Sequence, residues 1–361
     1  MDETRQTGRR RRPTLRHVAD RAGVSASTAS LVFSGRGPVS DATADRVRAA
    51  ARDLGFTGPD PVASSLRRGR VGTVAVVVEG PLGAAFRDPF ALAVLDGLSE
   101  ELDAAGRTML LVAQPPDEPI RAVDQLATQP VDAVVFPLCG MAENPLVDHL
   151  AARGIPMVGS GAPRDPRVHH VLTDEAAAIG LTTRHVLALG HTRVAHLSMH
   201  LSPGASLRRV GPDDVAPAAY PDAAGRLAGF LGLVGPGSLA VEAPELSVEA
   251  GEQAGRLLLD VPAAHRPTAV VAQADLLAAG AVRAAQSLGL RVPEDVSVTG
   301  FDGVDLPWLD HTLTTVLQPG ADKGRALGRL TRRALAREAT ADEAFAVSLR
   351  VGTTTAPPPP D

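Results

Sequence analysis

Four hydroxyl side chains fall within six residues at Ser25, Ser27, Thr28 and Ser30, in the part of the chain richest in arginine. Short hydroxyls such as Ser25, Thr28 and Ser30 suit contacts to phosphate oxygens, which position a protein on a duplex without reading its sequence. Covalent chemistry has no comparable candidate. The sequence contains no GxSxG, no HExxH, no phosphate-binding loop and no Cys/His ligand set. Cys139 is the single cysteine, so neither an intramolecular disulfide nor a thiolate metal cluster is expected. His169 and His170 are adjacent in an extended run, where successive side chains point to opposite faces, so they are not expected to share a site. His191, in ALGHTR, reads as a helix-to-strand corner. No catalytic residue, metal or cofactor is expected, and the chain is not read as an enzyme.

The hydroxyl cluster needs a scaffold, and Thr14 to Gly35, TLRHVADRAGVSASTASLVFSG, supplies one. Leu15, Val18, Ala19 and Ala22 recur at i, i+3, i+4 and i+7, one apolar face of a helix. Gly23 stops that helix, because glycine enters the left-handed turn without steric cost. Ser25 follows as an N-cap whose hydroxyl can satisfy a free N–H of the next helix, Ala26 to about Phe33. Helix, glycine turn and capped helix form the helix-turn-helix of DNA-binding proteins. Ser40 is expected to cap a third helix, Asp41 to Leu54, stopped by Gly55. A short helix over Pro61–Arg68, with Asp60 as its cap, is too short to be stable without a partner.

Charge supports the same division. Residues 1–70 hold fourteen arginines and seven acids, while the remainder holds 22 basic and 34 acidic residues; the resulting +7 and −12 give the net −5. A basic head on an acidic body is the footprint of a segment that meets a polyanion. Residues 1–12, ending in Arg9–Arg12, read as a disordered basic arm. They lead into a polar helix, not an apolar leader segment, and no run of 18 apolar residues suggests a membrane span. The expected location is the cytoplasm.

From Val71 the texture changes to strand-length apolar runs alternating with amphipathic helices. The strand candidates are Thr73–Val78, Thr108–Ala113, Ala133–Pro137, Pro156–Gly159, His169–Thr173, Val194–Ser198, Ala269–Ala272, Val296–Gly300 and Leu313–Val316. Such alternation predicts two doubly wound α/β units with a ligand cleft beyond the carboxyl ends of their strands. Aromatics are 3% of the chain, so the cores must be built from Ala, Val and Leu. The tail, 356–361, is expected to be loose.

Together these stretches resemble the LacI/GalR family of ligand-responsive transcription regulators. The resemblance spans about Pro13 to Pro358. It rests on the head, VSDATADRVRAAARDLGF after it, SLRRGR at Ser65–Arg70, HVLALGHTRVAHLS at His185–Ser198, RLAGF at Arg226–Phe230, LGLRVPEDVSVTGFD at Leu288–Asp302, LTTVLQP at Leu313–Pro319 and TTTAPP at Thr353–Pro358, in family order. It implies a helix-turn-helix head over 13–58, a hinge helix over 59–70 and an effector-binding and dimerisation body over 71–355 resembling periplasmic sugar-binding proteins. Three crossings would put about 71–172 and 317–342 in one subdomain and about 173–316 and 343–355 in the other. The implied partners are a near-palindromic double-stranded DNA operator, a second copy of the chain and a small effector of the sugar class.

The resemblance also nominates residues. Ala26, Ser27 and Leu31 occupy base-reading positions, with Thr14, Leu15, Ser25, Thr28 and Ser30 as further DNA contacts. Ser65 and Leu66 match the hinge, where Leu66 would wedge into the minor groove. In the cleft, Pro89, Phe90, Arg226, Asp275, Asp302 and Trp308 are the effector candidates. Arg226 offers a planar fork for hydroxyls or a carboxylate, and Asp302 an acceptor. Several positions depart from the family pattern. Leu31 stands where arginine is usual, Ser64 where arginine is common, Ala274 where asparagine is usual and Gly161 where an acid is usual. The Phe56–Leu66 spacer is one residue longer. Met199–Pro221 is longer and richer in Pro and Gly than usual, and reads as a tolerated insertion in preference to a lid. The competing reading, a stand-alone solute-binding protein, would need a secretion signal and no basic head.

Overall fold

A computed structural model describes residues 13–34, 37–58 and 70–360. The basic arm, the hinge segment with Ser65 and Leu66, and the expected cap Asp60 lie outside the described residues. The chain divides into a small unit ending at Val71 and a large one beginning at Gly72.

The small unit has three helices, α1 (Leu15–Ala22), α2 (Ala26–Ser34) and α3 (Asp41–Leu54). Val18, Ala19, Ala29, Val47, Ala50 and Ala51 form its buried core, and Phe33 meets Phe56 edge to face with ring centroids 5.4 Å apart. Gly23 adopts φ 65° at the end of α1, the left-handed turn expected of it. Ser25 is a working cap: its Oγ accepts from the Thr28 amide at 3.0 Å. Ser40 precedes α3 but caps no amide; its hydroxyl donates to Thr43 Oγ1 at 3.0 Å instead.

The large unit holds two sheets. The first uses β1 (Thr73–Glu79), β2 (Thr108–Gln114), β3 (Ala133–Phe136), β4 (Met157–Gly159), β5 (Val168–Leu172) and β12 (Glu343–Ala344), ordered β12-β5-β4-β3-β1-β2 with every pair parallel. The second uses β6 (Val194–Ser198), β7 (Arg208–Val210), β8 (Ala240–Glu242), β9 (Ala269–Ala272), β10 (Ser297–Asp302), β11 (Thr314–Leu317) and β13 (Ser348–Arg350), ordered β13-β11-β10-β9-β6-β8-β7. Its edges β7 and β13 are antiparallel. The central strands are buried on both faces, which is why β1 reads TVAVVVE without alternation.

The helices are α4 (Leu82–Ala85), α5 (Pro89–Ala104), α6 (Ile120–Thr128), α7 (Leu146–Ala152), α8 (Glu175–Ala188), α9 (Pro221–Val234), α10 (Val248–Leu259), α11 (Asp275–Ser287) and α12 (Gly320–Leu335). A core of small aliphatics lets them approach closely. A Cβ at Gly324 of α12 would overlap the Val94 carbonyl of α5, and one at Gly280 of α11 would overlap the Val248 carbonyl of α10.

The sheets displace one expected boundary. Glu343–Ala344 pairs with β5 in the first sheet, so the chain returns to the second lobe only after Ala344, where β13 joins β11. Two further expectations are corrected. The tail is anchored: the Ala356 amide donates to Ser297 Oγ at 3.0 Å, and His191 Nε2 bonds the Ala356 carbonyl at 2.8 Å. Met199–Pro221 is not a passive insertion. Met199, Leu201 and Val210 are buried in the second lobe's core, Arg208–Val210 is an edge strand, and the Ala219 carbonyl accepts from Ala142 in the first lobe at 2.8 Å.

Candidate functional site

In the small unit, α2 presents its polar side outward. Ser25, Ala26, Ser27 and Leu31 are exposed, while Thr28 and Ser30 are half-buried. The three hydroxyls of Ser25, Ser27 and Thr28 form one cluster, with Ser25 Oγ 2.7 Å from Ser27 Oγ and 2.8 Å from Thr28 Oγ1. Thr14 is exposed as the N-cap of α1. Leu15 is half-buried and packs on the three-helix core, which accounts for its apolar side chain without a DNA contact. Leu31 lies over the Gly37 backbone, where an added Cβ would stand 3.3 Å from its Cδ2.

In the large unit the lobes meet at a cleft. The first crossing supplies Thr173, the second Gln318, and the lone lysine of the chain ties them together: Lys323 Nζ donates to Gln318 Oε1 at 3.0 Å, and Thr173 Oγ1 donates to the same oxygen at 3.1 Å. Burial pushes the Lys323 ammonium down, and Glu175 opposes that shift. The lobes also touch where Tyr220, at the start of α9, donates its hydroxyl to Glu79 at the end of β1. Desolvation pushes both acids of that pair upward.

Arg226 is 3% exposed. Its Nε donates to Glu175 Oε2 at 2.7 Å, its Nη1 to the Gln273 carbonyl at 2.7 Å, and its guanidinium sits 3.6 Å from the Phe301 ring centre. Two of its three nitrogens are therefore spent on holding α9 against α8 and β9. Asp302 ends β10 with φ 112°, a conformation that costs about 1–3 kcal/mol for a residue with a side chain. Desolvation pushes its carboxyl well up; Arg226 opposes this, while Asp275 and Asp88 add to it.

Asp275 was expected to face the effector, but it is fully buried. Its carboxylate accepts from Thr315 Oγ1 at 2.7 Å and from the Val304 amide at 2.8 Å, so it supports the turn that carries Asp302. Burial pushes it up to about 7. Trp308 is also misplaced by the sequence reading. It is 47% exposed, with the Arg283 guanidinium 5.0 Å from its ring centre. Pro89 and Phe90 begin α5; Phe90 packs on the first lobe's core with Lys323 Nζ 6.0 Å from its ring centre.

A cavity of about 590 Å³ opens between the lobes. None of the six effector candidates borders it. Its walls come from both lobes, including Cys139 and His170 on one side and Glu175, Asp222 and Lys323 near the crossings. His169 and His170 border it together, contrary to the expectation that strand alternation would separate them. Cys139 is accessible to solvent yet enclosed by surrounding protein, and this desolvation, with Asp222 adding to it, pushes its thiol well up. Glu175, Asp222 and Lys323 escaped the sequence reading because no local pattern marks them; only the crossings bring 175, 222 and 323 together. Among the described residues no group of acids, histidines and cysteine is arranged to hold a metal, and no helix is long and apolar enough to cross a membrane.

Comparison with known proteins agrees with this architecture. Residues 14–58 match the profile of bacterial regulatory proteins of the lacI family. Residues 72–219 match periplasmic binding proteins and the sugar binding domain of the LacI family, and 183–355 match a periplasmic binding protein-like domain. An HTH-type transcriptional regulator of Mycolicibacterium smegmatis is 34% identical over 89% of this chain and 90% of its own length. The regulator CelR of Thermobifida fusca is 32% identical over 89% and 92%. A solved CelR–cellobiose complex superposes with a TM-score of 0.64 at 30% identity, covering 95% of this chain and all of that one. The Lac repressor dimer bound to operator and an anti-inducer shares the fold, with a TM-score of 0.74 at 23% identity over 96% of this chain and all of that one. With a three-helix head that presents a capped second helix, and a two-lobed body closed around a cavity, the chain belongs to the LacI family of DNA-binding transcriptional regulators.

Proposed function

We propose that this regulator is a repressor that acts in the cytoplasm as a homodimer on a near-palindromic operator, and that a small effector bound between its lobes sets its operator affinity. The observation that carries the effector half is the position of the cavity. It is walled by Lys323 and Thr173, the residues that tie two interlobe crossings to each other through Gln318. A ligand there has different contacts in open and closed lobes, and that differential affinity is the only lever by which it can shift the equilibrium between them. The DNA half is supported by the exposed hydroxyl cluster at the start of α2 and the arginine excess of residues 1–70. Ala26, Ser27 and Leu31 offer few hydrogen bonds to base edges, so operator choice leans on the hinge at Leu66 and on DNA deformability.

The test is operator selection from random-sequence DNA followed by binding measured against salt. The full chain should bind a palindromic site with a steep salt dependence. A protein beginning at Val71 should not bind. Leu66→Ala should bind the operator more weakly while keeping its response to ligand in the thermal melt of the body. Equal binding by the protein lacking residues 1–70 would refute the DNA-binding reading.

A further inference from the structure

The cavity between the lobes is bordered by an acid that no base contacts among the described residues. Asp222 sits in the first turn of α9 and borders the cavity. Both of its carboxylate oxygens are buried, and no ion pair or strong donor reaches either among the described residues. Burying an ionised carboxylate without a partner is expensive, and such groups in folded proteins are normally paired. The side chain beside it is the Cys139 thiol, a weak donor whose proton is held firmly by desolvation.

The nearby cations attract Asp222 without bonding it. Arg226 is within electrostatic reach of Asp222, but its Nε and Nη1 are spent on Glu175 and the Gln273 carbonyl. Lys323 donates to Gln318 and reaches Thr173. Counted around the walls, the charged side chains are Asp165, Glu175, Asp222 and Asp342 against Arg164 and Lys323, an acidic surplus. Asp165 is satisfied by Arg167, and Arg164 is exposed at the rim. Asp222 is therefore the wall acid left without a base in contact.

A second group in the same cavity also lacks a side-chain partner. His170 is 7% exposed and borders the cavity, and its buried Nδ1 has no side-chain partner, only the Gly159 backbone in reach. Desolvation pushes its imidazole down, so it is neutral near pH 7 and offers one further hydrogen bond without adding positive charge. The cavity thus presents one unpaired anion and one neutral polar nitrogen, in a volume of about 590 Å³, within the range of about 300–1,000 Å³ typical of small-molecule sites.

We propose that the interlobe cavity takes an effector that carries a protonated amine together with hydroxyl groups, the amine being received by the Asp222 carboxylate and a hydroxyl by His170. This inference rests on the reading of the cavity as the effector site and narrows it, since a neutral sugar would leave Asp222 without a cation in contact. A carboxylate-bearing ligand would meet a like charge.

The experiment compares ligands that differ only in charge, by calorimetry and thermal shift on the full chain. One set is glucosamine, glucose, N-acetylglucosamine and glucuronate. The other, free of any sugar ring, is ethanolamine, ethylene glycol and glycolate. In at least one set the amine should bind ten times or more as tightly as the neutral analogue, with the acid weakest. Asp222→Asn, which keeps the shape and removes the charge, should erase that preference. Should the variant fold poorly, the order measured on the native chain decides the matter alone. Equal binding across both sets, a preference for a neutral or acidic analogue, no binding by either amine, or an amine preference that survives in Asp222→Asn would overturn the inference. Capture of operator DNA by the same native sample separates this failure from failure of the regulator reading: DNA binding with no amine preference leaves the regulator intact and removes only the amine.

Discussion

Arg226 gives the most demanding test of the reasoning, because its ion pair is almost fully enclosed. Its side chain is 4% exposed and that of its partner Glu175 is 17% exposed, with 2.7 Å between Nε and Oε2. Arg226→Ala would leave Glu175 with little access to water and without the counter-charge it contacts, Lys323 remaining only as a longer-range cation. Breaking a buried pair by removing one partner costs about 3–5 kcal/mol, mostly the penalty of the stranded charge. The same change removes the donor to the Gln273 carbonyl and the cation over Phe301. These losses are not additive, so the pair sets the scale. With about 2 °C of melting temperature per kcal/mol for a domain of this size, the body of Arg226→Ala should melt roughly 6–10 °C lower. Removing both charges, in Arg226→Met with Glu175→Gln, should cost less than removing Arg226 alone, since Glu175 is then not stranded and Lys323 keeps its bond to Gln318. Circular dichroism melts at one protein concentration and one ionic strength measure both. A single variant within about 2 °C of the native chain, or a double variant no more stable than the single one, would refute the account of a buried, mutually dependent pair.

Two further outcomes are expected. Gly324→Ala puts a methyl into the Val94 backbone, so α5 and α12 must separate, at about 1–3 kcal/mol or more; Gly232→Ala in α9, with nothing within 4 Å of the new carbon, should instead stabilise by about 0.5–1 kcal/mol, and equal effects in urea titrations would contradict the packing argument. Asp275 holds its proton up to about 7 in the folded chain, against about 3.9 when unfolded, so its contribution is fully present below about pH 4 and is lost as pH rises through 7; the buried histidines, pushed down by desolvation, act in the opposite sense, so Asp275 is read from a difference: the stability of the native chain relative to Asp275→Asn should fall between about pH 4 and 7, and a difference that does not change with pH would argue against a protonated Asp275.

The end of the chain shows how local signals and tertiary contacts divide the information. Ser25 and Gly23 were legible as cap and stop because capping depends on a residue and its next few neighbours, and the Thr28 amide bonds Ser25 as expected. Ser40 had the same local credentials, yet its hydroxyl found Thr43 Oγ1 nearer than an amide. The run APPPP carries no secondary-structure signal and reads as loose, but Ser297 and His191, distant in sequence, hold Ala356 in place. His191 itself, read as a corner residue, is fixed between Thr268 and the Ala356 carbonyl.

What the sequence determined by itself was the set of elements: helix, glycine turn and capped helix in the head, and continuous apolar strands in the body. Each depends on periodicity and on residues a few positions apart. The identities of the cleft residues depended on something else. Asp275 and Asp302 both sit at strand-to-helix turns in recognisable motifs, but only the fold shows that Thr315 and Val304 bury one beneath the other. Asp222, Glu175, His170 and Lys323 carry no motif at all. They border one cavity because the chain crosses between its lobes near Thr173 and Gln318, and such a meeting of residues up to about 150 positions apart (Thr173 to Lys323) is decided by tertiary packing, not by local pattern.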